Sequence, residues 1–166
     1  MLTYLQRIEW FIGLVLLQVL VLNHVHIDGY ATPFFFIYFI LKYNAVVSRN
    51  VLLVWAFLLG LSVDVFSNTP GVNAAAATVL AFMREPILRL VTIRDSAEDF
   101  EPSIKTMGFS PFFRYILLCT FLFCIILLVI DTFSFFNLPV LLLKILTDAS
   151  ITMVCILCAE AIRRKK

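Results

Sequence analysis

Long apolar runs follow one another along nearly the whole chain, with only short polar connections between them. A helix that crosses a membrane needs about 20 mostly apolar residues. Six stretches qualify, the second of them short: residues 8–27, 33–47, 51–66, 72–91, 112–130 and 138–162. Of the 166 residues, 62% are hydrophobic and 14% are charged, whereas about 25% are charged in a soluble domain. The sequence therefore predicts an all-α integral membrane protein, a single membrane domain of six transmembrane helices over residues 1–166.

Lys and Arg residues occur in alternate connections. The connections at residues 24–32, 67–71 and 131–137 contain neither type. If the N-terminus lies in the cytoplasm, every one of the 13 Lys and Arg residues except Lys144 lies on the cytoplasmic side or at the inner interface. Basic residues of short loops stay on the cytoplasmic side of a membrane. Both termini and the loop 92–111 are therefore predicted to be cytoplasmic.

Polar side chains inside the predicted helices are costly and usually face protein or water, and four of them stand out: Gln18, Asn23, Lys144 and Asp148. Lys144 and Asp148 are one helical turn apart on the same face, and we expect a neutralised pair that docks the sixth helix. An ion or substrate site and a contact with a partner's membrane helix are the alternatives for this pair. Gln18 and Asn23 in the first helix are suited to hydrogen bonds between helices.

Asp64 precedes a turn-forming string near the outer end of the third helix. Residues 67–71 end with Pro and Gly, which tight turns favour. We expect Asp64 to cap or brace this turn, and a binding feature on the outer face is the alternative. The small residues that would let the third and fourth helices approach closely are Gly60, Ala74, Ala75, Ala76 and Ala77.

No residue pattern for catalysis is present. The chain lacks a Ser, His and Asp arrangement, a glycine-rich phosphate loop and a His-Glu-x-x-His helix motif. Cys155 and Cys158 form a C-x-x-C pattern, but they lie in an apolar helix with no His beside them, so redox or metal work is not expected. We expect a protein that is not an enzyme, with no catalytic, cofactor-binding or metal-binding residue and no nucleic-acid partner.

One string in the third and fourth segments resembles the signature of a known family. Residues 60–74 read GLSVDVFSNTPGVNA, and this string resembles the signature region of MreD, the rod shape-determining membrane protein of bacteria. The motif positions are Gly60, Leu61, Asp64, Asn68, Pro70 and Gly71. The first hairpin, with Gln18 and Asn23, and the stretch 81–84 are similar to Bacteroidetes-type members of that family.

The resemblance implies a non-catalytic membrane scaffold of the cell-elongation (rod) complex, which supports cell shape and peptidoglycan synthesis from the bacterial inner membrane. The implied partner is MreC, and through it MreB, RodA and a class B penicillin-binding protein. The resemblance also implies an architecture similar to the substrate-binding subunits of vitamin uptake transporters. An alternative function is therefore a substrate-binding membrane subunit of a small-molecule transporter. That function predicts a cavity of about 300 Å³ or more, lined by aromatic and polar groups and open to the outside.

Overall fold

The computed structural model describes residues 2–24, 32–45, 47–92, 101–132 and 138–164. Within these residues the chain is helical and contains no strand, which confirms the predicted all-α class. The helices are, in chain order, α1 (Leu2–Leu20), α2 (Ile37–Lys42), α3 (Arg49–Ser67), α4 (Val72–Val91), α5 (Ile104–Met107), α6 (Phe109–Thr132) and α7 (Leu138–Arg164). A 3-10 turn, Leu22–His24, follows α1.

Three helices in the described part of the chain are long and apolar enough to cross a membrane: Arg49–Ser67, Phe109–Asp131 and Val140–Arg163. The helices α1 and α4 have 19 and 20 residues, which corresponds to about 28 to 30 Å, close to the thickness of a bilayer core. The last turns of α4 carry Arg84, Glu85 and Arg89, so this helix is more polar. The first predicted helix, residues 8–27, is wrong at both ends, because α1 begins at Leu2 and ends at Leu20, and residues 21–24 form a turn and the 3-10 helix. Residues 25–27 lie outside the described part of the chain.

The second predicted helix, residues 33–47, is wrong, because among its described residues only Ile37–Lys42 is helical. Six residues of α-helix are about 9 Å long, which is too short to cross a membrane core. Pro33 has no N–H to donate and restricts the residue before it to extended backbone. At the other end, Tyr43 stops the helix with a ψ of 146°. The segment nevertheless lies deep inside the protein, since every residue from 36 to 43 is buried.

The long helices surround this second segment. The ring of Phe39 in α2 meets that of Phe11 in α1, with centroids 5.9 Å apart. The ring of Phe36 meets that of Phe123 in α6 at 5.6 Å. The helix α6 packs against both α4 and α7, and Tyr115 and Phe123 on its inner face are fully buried. The core of the bundle is therefore built around the short α2.

Basic side chains gather at one end of the bundle. The guanidinium of Arg163 in α7 lies 4.8 Å from the ring centre of Trp10 in α1. The guanidinium of Arg7 lies 4.7 Å from the ring centre of Tyr43, next to the end of α2. The first half of α1 and the last turns of α7 therefore lie at the same end. We call this the basic end, defined by Arg7, Lys42 and Arg163.

The backbones of α3 and α4 touch at Gly60. A Cβ atom placed on Gly60 would lie 2.5 Å from the Cα atom of Ala74, closer than packed atoms can approach. Ala76 and Ala77 of α4 are also fully buried. Ala75 lies on the exposed face instead, because four consecutive residues of a helix cannot share one face. The close approach of α3 and α4 predicted for the alanine run is thus present at Ala74 and is wrong for the exposed Ala75.

Gly60→Ala is expected to lower the free energy of unfolding by about 2 to 3 kcal/mol, since overfilling a packed contact costs an amount in this range. The measurement is denaturant unfolding of the purified protein in mild detergent, followed by circular dichroism. Gly13→Ala is the matched control, because a Cβ atom on this helical glycine meets nothing within 4 Å. The control should be unchanged or more stable by up to about 1 kcal/mol. Equal stability of the two variants would contradict the contact between α3 and α4.

Candidate functional site

Polar side chains of α7 hold the extended start of the second segment. The backbone N–H of Thr32 donates to Oδ1 of Asp148 at 2.9 Å, and that of Phe34 donates to Oγ1 of Thr152 at 3.0 Å. Both acceptor residues are fully buried. Non-helical backbone is tolerated inside a membrane protein only where other parts of the protein satisfy its polar groups. Asp148 and Thr152 meet that condition.

Gln18 in α1 also pairs backbone polar groups of the second segment. Its buried side chain donates through Nε2 to the carbonyl oxygen of Pro33 at 2.9 Å and accepts through Oε1 from the N–H of Phe36 at 3.4 Å. Nε2 also donates to Oδ1 of Asn23 at 3.0 Å. The amide of Asn23 then donates to Oγ of Ser67 in α3 at 2.6 Å. Gln18 and Asn23 together connect α1 to the second segment and to α3.

Two buried side chains satisfy the carbonyl groups at the end of α2. The hydroxyl of Tyr115 donates to the carbonyl oxygen of Leu41 at 3.1 Å and accepts from Nε of Arg84 at 3.1 Å. Arg84 also donates to the carbonyl oxygen of Tyr43. The last carbonyls of a helix have no partner within it, so these contacts let α2 end in the interior. The sequence places Arg84 on the cytoplasmic side or at the inner interface, whereas its side chain is buried in the structure.

Glu160, a buried carboxylate of α7, joins three parts of the chain. Its two oxygens accept from Nζ of Lys42 at 3.0 and 3.1 Å, and Oε2 also accepts from the hydroxyl of Tyr38 at 2.8 Å. The backbone N–H of Ile104, the first residue of α5, donates to Oε1 at 3.3 Å. The side chains of Lys42 and Glu160 are only 9% and 5% exposed. This ion pair anchors α2 and α5 to the last turns of α7.

Sequence reasoning missed Glu160 because its partner is far away in the chain. Lys42 is 118 residues distant, and the sequence places it only on the cytoplasmic side or at the inner interface, with no indication of a partner. The available signal was a carboxylate inside a largely apolar helix of 27 residues. Ionisable residues in such helices usually have a partner, but the identity of that partner depends on the fold.

The predicted ion pair of Lys144 and Asp148 does not form among the described side chains. Oδ1 of Asp148 accepts from the backbone of Thr32, and its Oδ2 has no hydrogen-bond partner in the described residues. Lys144 is partly exposed and lines a cavity together with Asp148. The buried carboxylate of Asp148 therefore pairs the backbone N–H of Thr32 and not the ammonium of Lys144, because a buried backbone N–H group needs a partner.

Asp64, at the end of α3, caps the first turn of α4. Oδ1 accepts from the backbone N–H of Asn73 at 3.0 Å and Oδ2 from that of Ala74 at 2.8 Å. Oδ1 also accepts from the hydroxyl of Thr69 at 2.8 Å and from Nδ2 of Asn73 at 2.9 Å. A helix N-terminus has unpaired N–H groups and favours negative charge. Asp64 meets both requirements, which is the bracing role expected from the sequence.

The turn between α3 and α4 uses two residues in the left-handed region. Asn68 has a φ of 55° and Gly71 a φ of 80°, a conformation that Gly and, less often, Asn adopt at low cost. Pro70 lies between them and is exposed. Leu61, the remaining motif residue, is 39% exposed and takes no part in the cap.

A cavity of about 420 Å³ opens beside this cap, at the end of the bundle opposite the basic end. Its main polar residues are Asn23, Thr69, Asn73, Asp131, Lys144 and Asp148. Phe34 and Phe66 supply aromatic rings. We call it the cap cavity. Its volume exceeds the 300 Å³ or so at which ligand pockets begin.

The chemistry that this geometry offers is binding and positioning. The described residues contain no group of three or more His, Cys, Asp or Glu side chains that could hold a metal ion. The four cysteines, Cys119, Cys124, Cys155 and Cys158, are free thiols. Comparison of the chain with protein-family models, curated proteins and solved structures gives no match.

Proposed function

We propose that the chain is a non-catalytic scaffold subunit of a bacterial cell-elongation complex, as its resemblance to MreD implies. In this proposal it crosses the inner membrane six times with both termini in the cytoplasm. It binds MreC, and through it MreB, RodA and a class B penicillin-binding protein. The proposal is supported by the signature string, in which Gly60 and Asp64 join α3 to α4 by contact and by capping.

Contacts of the second segment support six crossings. Thr32 at its start is bound to Asp148, and Lys42 at its end is bound to Glu160. These two positions on α7 are about 18 Å apart at 1.5 Å per residue. An extended stretch followed by a short helix thus runs beside α7 over more than half of a bilayer core of about 30 Å. The gathering of basic residues at the basic end fits a cytoplasmic location for that end.

One observation carries the scaffold proposal, namely an apolar ridge on the surface of α3. Leu58, Leu61 and Val65 are 44%, 39% and 72% exposed, and their spacing places them on one face of the helix. Leu61 belongs to the signature but, unlike Gly60 and Asp64, has no part in joining α3 to α4. Membrane helices associate by the fit of such surfaces. We assign this α3 ridge to the membrane anchor of MreC.

Leu61→Trp is expected to reduce the recovery of MreC by about tenfold, because a bulky ring in a packed interface costs about 1 to 3 kcal/mol. Tagged protein is solubilised from its native membrane in mild detergent, and co-purified MreC is quantified at matched recovery of the tagged chain. Leu142→Trp is the matched control, since Leu142 is 56% exposed but lies on α7.

The possible outcomes of this experiment are distinct. Loss of MreC with Leu61→Trp alone supports the α3 ridge as its binding surface. Equal recovery of MreC with both variants contradicts the assignment of the α3 ridge to MreC but is compatible with the scaffold proposal. Absence of MreC from the unchanged protein, with recovery of an ATPase pair, contradicts the scaffold.

A substrate-binding subunit of a small-molecule transporter is the second candidate function, and the cap cavity favours it. The cavity has a volume of about 420 Å³ and both aromatic and polar lining residues, as that function predicts. An energising partner would have to bind at the basic end. Recovery of an ATPase pair in the co-purification is therefore the result that supports this function.

A further inference from the structure

We propose that the cap cavity is a binding site for a small organic ammonium ion, with Asp148 and Asn73 as its hydrogen-bond acceptors. This inference does not depend on the scaffold proposal, because it concerns the isolated chain and is tested without any partner. For the transporter function, it would name the chemical class of the ligand.

Two buried acceptor atoms in the lining of this cavity lack partners. Oδ2 of Asp148 and Oδ1 of Asn73 have no hydrogen-bond partner among the described residues. The two residues are only 0% and 6% exposed. Buried polar atoms are nearly always hydrogen-bonded, and leaving one unpaired is costly. A ligand that carries N–H donors would remove this cost.

The remaining polar atoms of both side chains are already engaged. Oδ1 of Asp148 accepts from the backbone of Thr32 at 2.9 Å. Nδ2 of Asn73 donates to Oδ1 of Asp64 at 2.9 Å. These bonds fix the orientation of the two side chains before any ligand arrives. Binding to such preorganised groups loses less conformational entropy than binding to mobile ones.

The charges of the lining favour a cation. Asp131 and Asp148 contribute negative charge, and Lys144 is the cationic side chain among the described lining residues. An ammonium ion complements both the excess negative charge and the free acceptors, whereas a carboxylate complements neither. Phe34 and Phe66 are aromatic lining residues, and aromatic rings attract organic cations at their faces.

Three probes of similar size separate these contributions. n-Butylammonium carries positive charge, N–H donors and a short apolar tail. Tetramethylammonium has the charge without the donors, and butyrate has the tail with the opposite charge. All three fit easily into a cavity of about 420 Å³. Each is titrated by calorimetry into the purified full-length protein in lipid nanodiscs.

The unchanged protein should bind n-butylammonium saturably and tetramethylammonium at least about tenfold more weakly, because charge-assisted hydrogen bonds are absent from the second probe. Butyrate should not bind. Asp148→Asn keeps an acceptor for the N–H of Thr32 but puts a donor in place of the free oxygen. It should therefore weaken the binding of n-butylammonium at least about tenfold.

Lys144→Met removes a like charge from the lining and should strengthen the binding of n-butylammonium about threefold. Because a damaged fold would not bind more tightly, this variant tests the site even if Asp148→Asn fails to fold. Glu9→Gln is the matched control, since Glu9 is exposed on α1 and lies outside the described lining. Its affinity should equal that of the unchanged protein.

Three results would overturn the proposal. They are equal binding of butyrate, equal affinities across all variants, and no saturable binding of n-butylammonium to the unchanged protein. The last would indicate a cavity that holds water only, and the first two would indicate binding that does not depend on the ammonium group or on Asp148. None of these results would alter the amount of MreC that co-purifies with the chain, so failure of this proposal can be told apart from failure of the scaffold proposal.

Discussion

Glu160→Gln is expected to lower the free energy of unfolding by about 3 to 5 kcal/mol, the usual cost of removing one partner from a buried ion pair. The variant preserves the volume of the side chain but leaves the ammonium of Lys42 buried without its counter-charge. The hydroxyl of Tyr38 and the N–H of Ile104 also lose a charged acceptor, and hydrogen bonds to charged groups are the stronger ones. Unfolding in mild detergent, followed by circular dichroism, measures the change.

Two further variants separate the buried pair from a general loss of charge. Glu85→Gln breaks a surface pair with Arg89, whose partners are 46% and 64% exposed, and should cost less than about 1 kcal/mol. Lys42→Met combined with Glu160→Gln leaves no unpaired charge, so it should be more stable than Glu160→Gln alone. A double variant that is less stable than the single one would contradict this account.

Asp64→Ala is expected to cost about 3 to 4 kcal/mol of unfolding free energy, since each buried donor left unpaired costs about 1 to 3 kcal/mol. The donors are the N–H groups of Asn73 and Ala74, which meet the two carboxylate oxygens at 3.0 and 2.8 Å. Loss of a negative charge at the N-terminus of α4 adds to the effect. The same detergent unfolding experiment applies.

Asp131→Ala is the matched control for this substitution. Asp131 is exposed near the end of α6, so its replacement should change the unfolding free energy by no more than about 0.5 kcal/mol. Asp64→Asn should give an intermediate value, because one acceptor oxygen remains. If Asp64→Ala were as stable as Asp131→Ala, the cap on α4 would not contribute to the fold.

Sequence and structure agree where a feature depends on residues that are close together in the chain. The apolar runs predict α3, α4, α6 and α7 to within a few residues, because an α-helix pairs its own backbone groups. The cap that Asp64 forms on α4 is also predictable, because its hydrogen-bond donors are close to Asp64 in the chain. Its most distant hydrogen-bond donor in the cap is 10 residues away.

The second segment differs, because its helix is replaced by contacts with distant residues. Its apolar composition indicates a full helix over residues 33–47. Outside α2, the backbone N–H groups of Thr32 and Phe34 are paired by Asp148 and Thr152, which are 116 and 118 residues away. No local pattern reveals such partners.

The all-α class, the positions of α3, α4, α6 and α7 and the turn at residues 67–71 follow from the sequence alone, since apolar runs and turn residues act locally. Which polar side chains meet depends on the packed bundle. Glu160 meets Lys42, and Asp148 meets the backbone of Thr32 in place of Lys144. A buried charge or an unpaired N–H group takes whichever partner the packing brings within reach, and that partner is set by the arrangement of helices in space.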